Sequence, residues 1–206
     1  YQNKRDIVFG SFNNLSKIND GVIYVWSEIL KKVENSKLFL KAKQLDNSLI
    51  VENVKKKFQK NGINTEKIIT EGRSKTRKEM LTKYNQIDIA LDPFPYPGIT
   101  TSLEANWMGV PLLTKKGNNF YSRIGTSINK NLDMEDWIAN NEKDYILKAV
   151  SKASDLEKLF QTKKELRNKF LKSPLSNTKQ YAKHFENCLN LIWKTYLEKK
   201  NKSTYT

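Results

Sequence analysis

Cysteine and histidine are almost missing from this sequence, which contains one of each, Cys188 and His184. A single cysteine excludes an internal disulfide framework and is typical of a reducing compartment, so we expect a cytoplasmic protein. A single histidine, far from the strand-end loops, argues against a catalytic triad. One histidine and one cysteine cannot complete a tetrahedral zinc site. The sequence also has no Asp-x-Asp motif that would indicate a divalent metal on a diphosphate.

Long apolar runs are missing too, since none approaches the ~20 residues that a membrane-spanning helix needs. The first residues do not contain the charged and apolar segments of a secretory leader. We therefore expect no membrane association. The chain opens at Tyr1 on a strand-like run without an initiator methionine, and we expect it to be a piece of a longer protein.

Acidic residues are few beside the basic ones: 22 Asp and Glu against 37 Lys and Arg give a formal net charge of +15. Such a balance can indicate nucleic-acid binding. Here, however, the basic residues are mostly lysines spread over helical faces, and aromatic residues are not interleaved with arginine as in RNA-binding sheets. We interpret the charge as a solvated lysine surface and keep nucleic-acid binding as an alternative.

Short apolar runs alternate with amphipathic segments through more than half of the chain. The pattern predicts five strands, at 6–12, 37–42, 67–72, 86–92 and 110–114. It predicts helices at 19–33 with Asn19 as N-cap, at 47–61, at 75–85 and up to Trp107 after the fourth strand. Strands and helices that alternate at this spacing form βαβ units. We therefore predict an α/β fold with a Rossmann-like parallel sheet that carries helices on both faces.

The C-terminal part is predicted to be all-helical, with helices around 120–130, at 142–153, at 155–171 and in a long final segment. That last helix carries an apolar stripe of five residues, Tyr181, Phe185, Cys188, Ile192 and Tyr196. We divide the chain into a Rossmann-like lobe at 1–175, a C-terminal amphipathic helix at 176–199 and a polar tail at 200–206, which we expect to be frayed. The stripe needs a surface, either on this lobe or on another part of the protein.

Parallel sheets bind ligands at the carboxyl ends of their strands, so the loops there are the candidate sites. The loop after the first strand, FNNLSKIN at 12–19, places Asn13, Asn14 and Lys17 within reach of a phosphate or a sugar. The same residues are typical of an Asx turn that caps the next helix, and the sequence does not decide between the two. A G-x-G-x-x-G dinucleotide fingerprint is missing.

The loop after the fourth strand contains three of the five prolines of the chain. Thr100 and Thr101 then begin a helix whose free amides point at the strand ends, which favours an anion. Thr101 and Glu104 also match a capping box, in which both side chains only satisfy backbone amides. A glutamate at this position equally suits the two hydroxyls of a ribose, so both interpretations stay open.

A basic run follows the third strand, in GRSKTRKEM at 72–80. Lys75, Arg77 and Lys78 lie where a helix starts, and positive charge there opposes the helix dipole unless an anion is near. This favours a binding role for Arg77, although a solvated surface would account for the same residues.

Four segments together resemble the catalytic region of O-linked N-acetylglucosamine transferases, a family that includes plant SPINDLY-like proteins and bacterial relatives with tetratricopeptide repeats. The segments are FGSFNNLSKIND, IDIALDPFPYPGITTSLEANWMGVPLLT, FYSRIGTSI and SPLSNTKQYAKHFENCLNLIW. The resemblance extends from about residue 7 to residue 196. It implies a GT-B architecture of two Rossmann-like lobes, of which this chain resembles the C-terminal, nucleotide-sugar-binding one.

The resemblance also implies an inverting, metal-independent transfer of a sugar, GlcNAc in the first place, from a UDP-sugar to a protein Ser or Thr hydroxyl. The expected partners are the UDP-sugar, a protein acceptor and the N-terminal lobe of the same enzyme, with no cofactor. In such enzymes the last helix crosses to the N-terminal lobe, which holds the usual candidate for the catalytic base. The isolated lobe is therefore expected to bind nucleotide without turnover.

Site residues follow from the matching motifs. Lys17 would contact the diphosphate and stabilise the departing UDP. Asn14 takes the place of a family glutamine that also reaches the diphosphate. Thr100 and Thr101 would hold the phosphates, and Glu104 would hold the ribose, where animal enzymes have Asp.

Arg77 falls where the family has a basic or polar residue near the ribose and uracil. Two positions depart from the family pattern: Met80 stands where a histidine commonly packs on the uracil, and Ile99 replaces another histidine of the phosphate loop. A thioether can still pack on a base, so both residues are retained as binding candidates. The departures also support an alternative function, a non-catalytic interaction module with a degenerate nucleotide pocket.

Overall fold

A parallel sheet forms the centre of the molecule. The computed structural model describes the backbone of residues 6–203 and the side chains of residues 6–200. Within this range the sheet has six strands: β1 (Ile7–Ser11), β2 (Ser36–Lys41), β3 (Ile68–Glu71), β4 (Ile89–Leu91), β5 (Leu112–Lys115) and β6 (Ile138–Ala139). They lie side by side in the order β3-β2-β1-β4-β5-β6. This is the strand order of a Rossmann-like fold, and the predicted fold class is confirmed.

Helices follow the strands in sequence and cover the sheet. In the described range they are α1 (Asp20–Lys32), α2 (Ser48–Lys60), α3 (Arg77–Thr82), α4 (Thr100–Trp107), α5 (Ile124–Asn131), α6 (Glu142–Ser154), α7 (Leu156–Lys172) and α8 (Thr178–Ser203). Asn19 caps α1, because its side chain accepts a hydrogen bond from the Val22 amide, as predicted.

Two hydrophobic clusters lie on opposite faces of the sheet, because successive side chains of a strand point to opposite sides. Leu38 and Leu40 of β2 belong to the larger cluster, whereas Phe39 between them belongs to the smaller one. The larger cluster includes Trp26 of α1, and the smaller one includes Ala105 of α4. Both faces of the sheet are thus covered by helices, as a buried parallel sheet requires.

The structure corrects two of the predicted elements. Ile138 and Ala139 form β6, which pairs with β5 in a stretch that was predicted to be entirely helical. A strand of two residues is too short to produce an alternating pattern in the sequence. The helix predicted at 75–85 is divided into α3 and a 3-10 turn at Lys83–Gln86.

The last helix, α8, lies apart from the core. Every residue of it whose side chain is described is exposed, including Tyr181 at 69% and Ile192 at 65%. The apolar stripe therefore does not pack back on this lobe. The helix continues to Ser203, beyond the predicted boundary at 199, and residues 204–206 of the predicted tail lie outside the described range. No helix between residues 6 and 203 has the length and apolarity to cross a membrane.

Candidate functional site

The loops after β1 and β4 meet at the point where the strand order reverses, which is where such sheets bind ligands. Lys17 Nζ donates a hydrogen bond to the Pro97 carbonyl at 2.9 Å and lies 4.4 Å from the centre of the Tyr96 ring. The Thr101 hydroxyl donates to Asn13 Oδ1 at 3.1 Å. Two loops that are 80 residues apart in the sequence therefore form one site.

Lys17 is held in a partly dehydrated position at this junction. Burial lowers the pKa of its ammonium, and the nearby charge of Asp92 acts in the opposite direction. An ammonium has three donors, so Lys17 can bind an anion while it keeps its hydrogen bond to Pro97. A lysine with a weakened hydration shell beside a helix start is suited to a phosphate.

The start of α4 excludes one of the two interpretations of its first turn, the capping box. The helix begins at Thr100, with Ile99 at the N-cap, and no side chain of the described residues caps it. Thr101 and Glu104 do not form a capping box, so that prediction is wrong. Their partners are Asn13 for the hydroxyl and Arg77 for the carboxylate. The first amides of α4 are thus left without a side-chain acceptor, as in helices that bind an anion.

Glu104 holds a buried carboxylate between a cation and a phenol. Its Oε1 lies 2.5 Å from Arg77 Nη2, and its Oε2 lies 3.4 Å from the hydroxyl of Tyr84, which is also 3.0 Å from the Thr101 carbonyl. Burial raises the pKa of Glu104, while the charge of Arg77 opposes this rise. Glu104 is 9% exposed but Arg77 is 65% exposed. An ion pair with one solvated partner is weakly held, so Arg77 can give way to a hydroxyl-bearing ligand.

A cleft of about 420 Å³ opens beside this carboxylate. Arg77, Met80, Thr101 and Glu104 line it, together with Phe12 and residues 41–43 and 72–76. The Met80 side chain also packs against the smaller hydrophobic cluster. The volume falls within the range of small-molecule pockets, which start at roughly 300 Å³. Four of the eight predicted site residues thus share one cleft.

The other four predicted residues lie around the junction of the loops. Lys17 contacts the 92–99 loop, and Ile99 and Thr100 lie exposed at the start of α4. The side chain of Asn14 accepts hydrogen bonds from the Ser16 amide at 3.0 Å and from Gln44 Nε2 at 2.6 Å. Asn14 thus forms an Asx turn, but it caps the 3-10 turn Leu15–Lys17 and not α1. Its contact with a diphosphate stays a prediction.

Two residues of the site were missed at the level of the sequence. Tyr96 lies under the Lys17 ammonium, and Asp92 is fully buried beneath the loop. Burial raises the pKa of Asp92 to about 7. The available signal was a carboxylate placed between a strand and a proline-rich loop, at the carboxyl edge of the sheet.

The site has no cluster of metal ligands in the part of the chain that the structure describes, where no group of three or more His, Cys, Asp or Glu could hold an ion. At the junction of the two loops, the Lys17 ammonium and the start of α4 offer positive charge to an anion. This arrangement can bind a phosphate group at the junction and a nucleoside in the neighbouring cleft.

Comparison with known proteins agrees with this geometry. Residues 2–185 match the sequence profile of glycosyl transferase family 41. The chain belongs to this family. A relative in tomato, named probable UDP-N-acetylglucosamine–peptide N-acetylglucosaminyltransferase SPINDLY, is 31% identical over 192 residues, which cover 93% of this chain and 21% of the relative. The enzyme named UDP-N-acetylglucosamine–peptide N-acetylglucosaminyltransferase in Caenorhabditis elegans is 27% identical over 92% of this chain and 16% of its own length. The chain thus spans 21% and 16% of the lengths of these two curated relatives.

Solved structures place the family 41 chain in the GT-B class. A mutant of the Thermobaculum terrenum O-GlcNAc transferase superposes with a TM-score of 0.87 at 30% identity, over 92% of this chain and 37% of that one. The C-terminal domain of a group 1 glycosyl transferase from Francisella tularensis matches with a TM-score of 0.60 at 16% identity. This match covers 81% of this chain and 86% of that domain. At so low an identity it shows the fold alone. The predicted resemblance to the family is confirmed.

Proposed function

We propose that this chain is the UDP-sugar-binding half of an inverting, metal-independent glycosyltransferase that moves a sugar to a Ser or Thr hydroxyl of a protein. The observation that carries the proposal is the convergence of Lys17, the uncapped start of α4 and Glu104 at one edge of the sheet. The names of the relatives specify UDP-N-acetylglucosamine and a peptide, which favours GlcNAc as the sugar.

Three regions of the site would bind the diphosphate, the ribose and the base of the donor. The diphosphate would lie between the Lys17 ammonium and the first amides of α4, with the hydroxyl of Thr100 beside it. The ribose would take the place of the Arg77 guanidinium on the carboxylate of Glu104, which can accept both ribose hydroxyls. The base would enter the cleft and pack on the thioether of Met80.

The reaction would be a single displacement at the anomeric carbon. The acceptor oxygen forms a bond to that carbon while the bond to the β-phosphate oxygen breaks, and UDP leaves with the bonding electrons. Lys17 stabilises the negative charge that develops on the β-phosphate. The proton of the acceptor hydroxyl passes to a base that lies outside this chain.

The proposal needs no divalent metal, because a lysine and a helix terminus supply the positive charge at the diphosphate position. It does need a second lobe, which would contribute the base and the acceptor site. The exposed stripe of α8 is the surface on which we propose that the second lobe docks, since its large apolar side chains, Tyr181, Phe185, Ile192 and Tyr196, are all exposed.

Titration of the chain with UDP and UDP-GlcNAc, by calorimetry or NMR, tests the proposal. We expect both to bind, and we expect Lys17→Ala to weaken the binding of UDP by about 10- to 100-fold, because a hydrogen bond to a charged group contributes roughly 1.5–3 kcal/mol. The NMR shifts that UDP causes should centre on the 92–99 loop and on the cleft.

Lys67→Ala is the matched control. Lys67 Nζ also donates to backbone carbonyls, those of Glu34 at 2.8 Å and Leu30 at 3.3 Å, but it does so at the opposite edge of the sheet. Its replacement should leave the affinity for UDP unchanged. A chain that binds no UDP at millimolar concentration would refute the proposal and favour the degenerate interaction module that Met80 and Ile99 suggest.

A further inference from the structure

A buried carboxylate at the end of β4 has no part in the proposed chemistry. Asp92 follows β4 directly, and its side chain is fully buried. Its Oδ1 accepts a hydrogen bond from the Gly98 amide at 2.7 Å and lies 3.3 Å from the Ser102 hydroxyl. Its Oδ2 accepts from the Thr114 hydroxyl at 2.8 Å. Burial of a carboxylate is costly unless hydrogen bonds replace its water, so these three neutral donors fix where the carboxylate lies.

The three donors belong to three different parts of the site. Gly98 lies in the 92–99 loop, Ser102 lies in the first turn of α4, and Thr114 lies on β5. The loop is tightly packed there, because a Cβ added to Gly98 would lie 2.3 Å from the Ser102 hydroxyl oxygen. Asp92 therefore ties the loop to the helix and to the neighbouring strand.

The loop that Asp92 fixes also holds Lys17. Pro97, whose carbonyl accepts the hydrogen bond from Lys17, is the residue before Gly98, and Tyr96 lies under the same ammonium. A movement of Gly98 would displace both groups that place Lys17 beside α4. Burial raises the pKa of Asp92. Ionisable groups whose pKa is shifted in this way are frequent at functional positions.

Asp88 is the natural comparison, because it is a second buried carboxylate next to the same strand. It precedes β4, whereas Asp92 follows it. Its oxygens lie 3.0 Å from the Val8 amide and 3.0 Å from Lys163 Nζ. Asp88 therefore connects the start of β4 to β1 and α7, at the amino ends of the strands and away from the candidate site.

We propose that Asp92 is a positioning residue of the donor site, which holds the 92–99 loop and the first turn of α4 in the geometry that binds a diphosphate. This inference rests on the proposed function. Asp92 is not a catalytic residue, because it acts through Gly98, Ser102 and the hold of the loop on Lys17. Its loss weakens the binding of a diphosphate more than that of a nucleoside. Most residues that line the nucleoside cleft lie outside the 92–99 loop and the first turn of α4.

Binding of three probes to the chain and to Asp92→Ala tests the inference: UDP, inorganic pyrophosphate and uridine. We expect Asp92→Ala to bind UDP and pyrophosphate at least about 10-fold more weakly, because the anchored geometry is lost. We expect it to bind uridine within about twofold of the unaltered chain, because the cleft keeps its lining residues. NMR titration measures all three, including weak uridine binding.

Asp92→Asn is the rescue variant. Its amide oxygen can accept from the Gly98 N–H, and its NH₂ group can donate to the Thr114 hydroxyl, which acts as donor or acceptor. We expect this variant to bind UDP within about threefold of the unaltered chain, because the geometry is kept while the charge is removed.

Asp88→Ala controls for the loss of a buried carboxylate, and we expect it to lower the melting temperature without changing the affinities for the three probes. If Asp92→Ala does not fold, Thr114→Val removes one anchor, and the same selective loss of UDP and pyrophosphate is expected. Unchanged UDP binding, equal loss of all three probes, or the same losses in Asp88→Ala would overturn the inference. If the unaltered chain binds no UDP, the proposed function fails and this inference fails with it.

Discussion

Asp92 links the protonation of one side chain to the stability of the lobe. Burial raises its pKa from 3.8 to about 7, against the hydrogen bonds from Gly98, Thr114 and Ser102 and the charge of Lys17, which lower it. Between these two pKa values the folded chain holds a proton that the unfolded chain has released. Stability therefore falls as the pH rises through this window, and the loss is complete above the folded pKa.

We predict that Asp92→Asn becomes more stable relative to the unaltered chain as the pH rises from about 5 to about 8. The difference between pH 5 and pH 8 is on the order of 3 kcal/mol, because about two units of the pKa shift fall within this range and one unit corresponds to about 1.4 kcal/mol. Tyr145, whose hydroxyl donates to the Asp92 carbonyl, also faces the carboxylate, but its own pKa is raised well above this range. Urea unfolding at several pH values measures the difference, and a difference independent of pH would contradict the prediction.

Single residues were the part of the site that the sequence predicted least well. The resemblance identified Lys17 and Glu104, and the structure brings both to one edge of the sheet. The capping box failed because Thr101 finds its partner 88 positions away, in Asn13. In the sequence, Asp92 looks like any aspartate in a loop, because its partners Ser102 on α4 and Thr114 on β5 are distant in the chain. Such long-range partners cannot be obtained from local spacing.

The helix caps are elements of the site as well as of the fold. Asn19 Oδ1 accepts from the Val22 amide at 3.0 Å and caps α1, while its Nδ2 donates to the Phe94 carbonyl at 2.9 Å. Asn47 caps α2 in the same way, through the Leu49 amide at 2.9 Å, and its side chain makes no described hydrogen bond to the 92–99 loop. The two asparagines thus have the same local role, but Asn19 also supports the loop that contacts Lys17.

We predict that Asn19→Ala and Asn47→Ala each lower the free energy of unfolding by about 1 kcal/mol, the usual effect of losing a side-chain cap. Asn19→Ala should in addition weaken UDP binding by a few fold, on the order of one lost neutral hydrogen bond. Chemical unfolding and UDP titration measure the two effects. Equal UDP affinities in the two variants would show that the contact with Phe94 does not support the loop.

The elements themselves were largely predictable. Strands of four to six residues with buried aliphatic side chains, such as β1 and β2, stand out between polar segments. The two-residue β6 does not, because its pairing with β5 depends on the whole fold rather than on its own sequence. The α3 segment was predicted too long, since its last residues tighten into a 3-10 turn, and helix ends are the least regular part of a helix.

At the scale of the whole molecule, the exposed face of α8 contrasts with the charged surface of the lobe. The net charge of +15 is partly paired, for example between Lys41 and Glu71 at 2.7 Å and between Lys163 and Asp88 at 3.0 Å. The apolar stripe of α8 is not covered by any described part of this chain. Exposed apolar surfaces of this kind mark sites of protein contact, which is why we propose that the second lobe docks there.

Cys188 makes this proposal measurable, because the one cysteine of the chain lies on the stripe and is exposed. We predict that a thiol reagent modifies Cys188 rapidly in this chain and at least about 10-fold more slowly in a protein that contains both lobes, because docking would bury the thiol. Mass spectrometry of the peptide that contains Cys188 gives both rates. As a matched control, Asn190→Cys places a thiol on the opposite side of α8, two residues further along the helix, and it should react at similar rates in both proteins. If Cys188 reacts equally fast in both, the stripe is not the surface that joins the lobes.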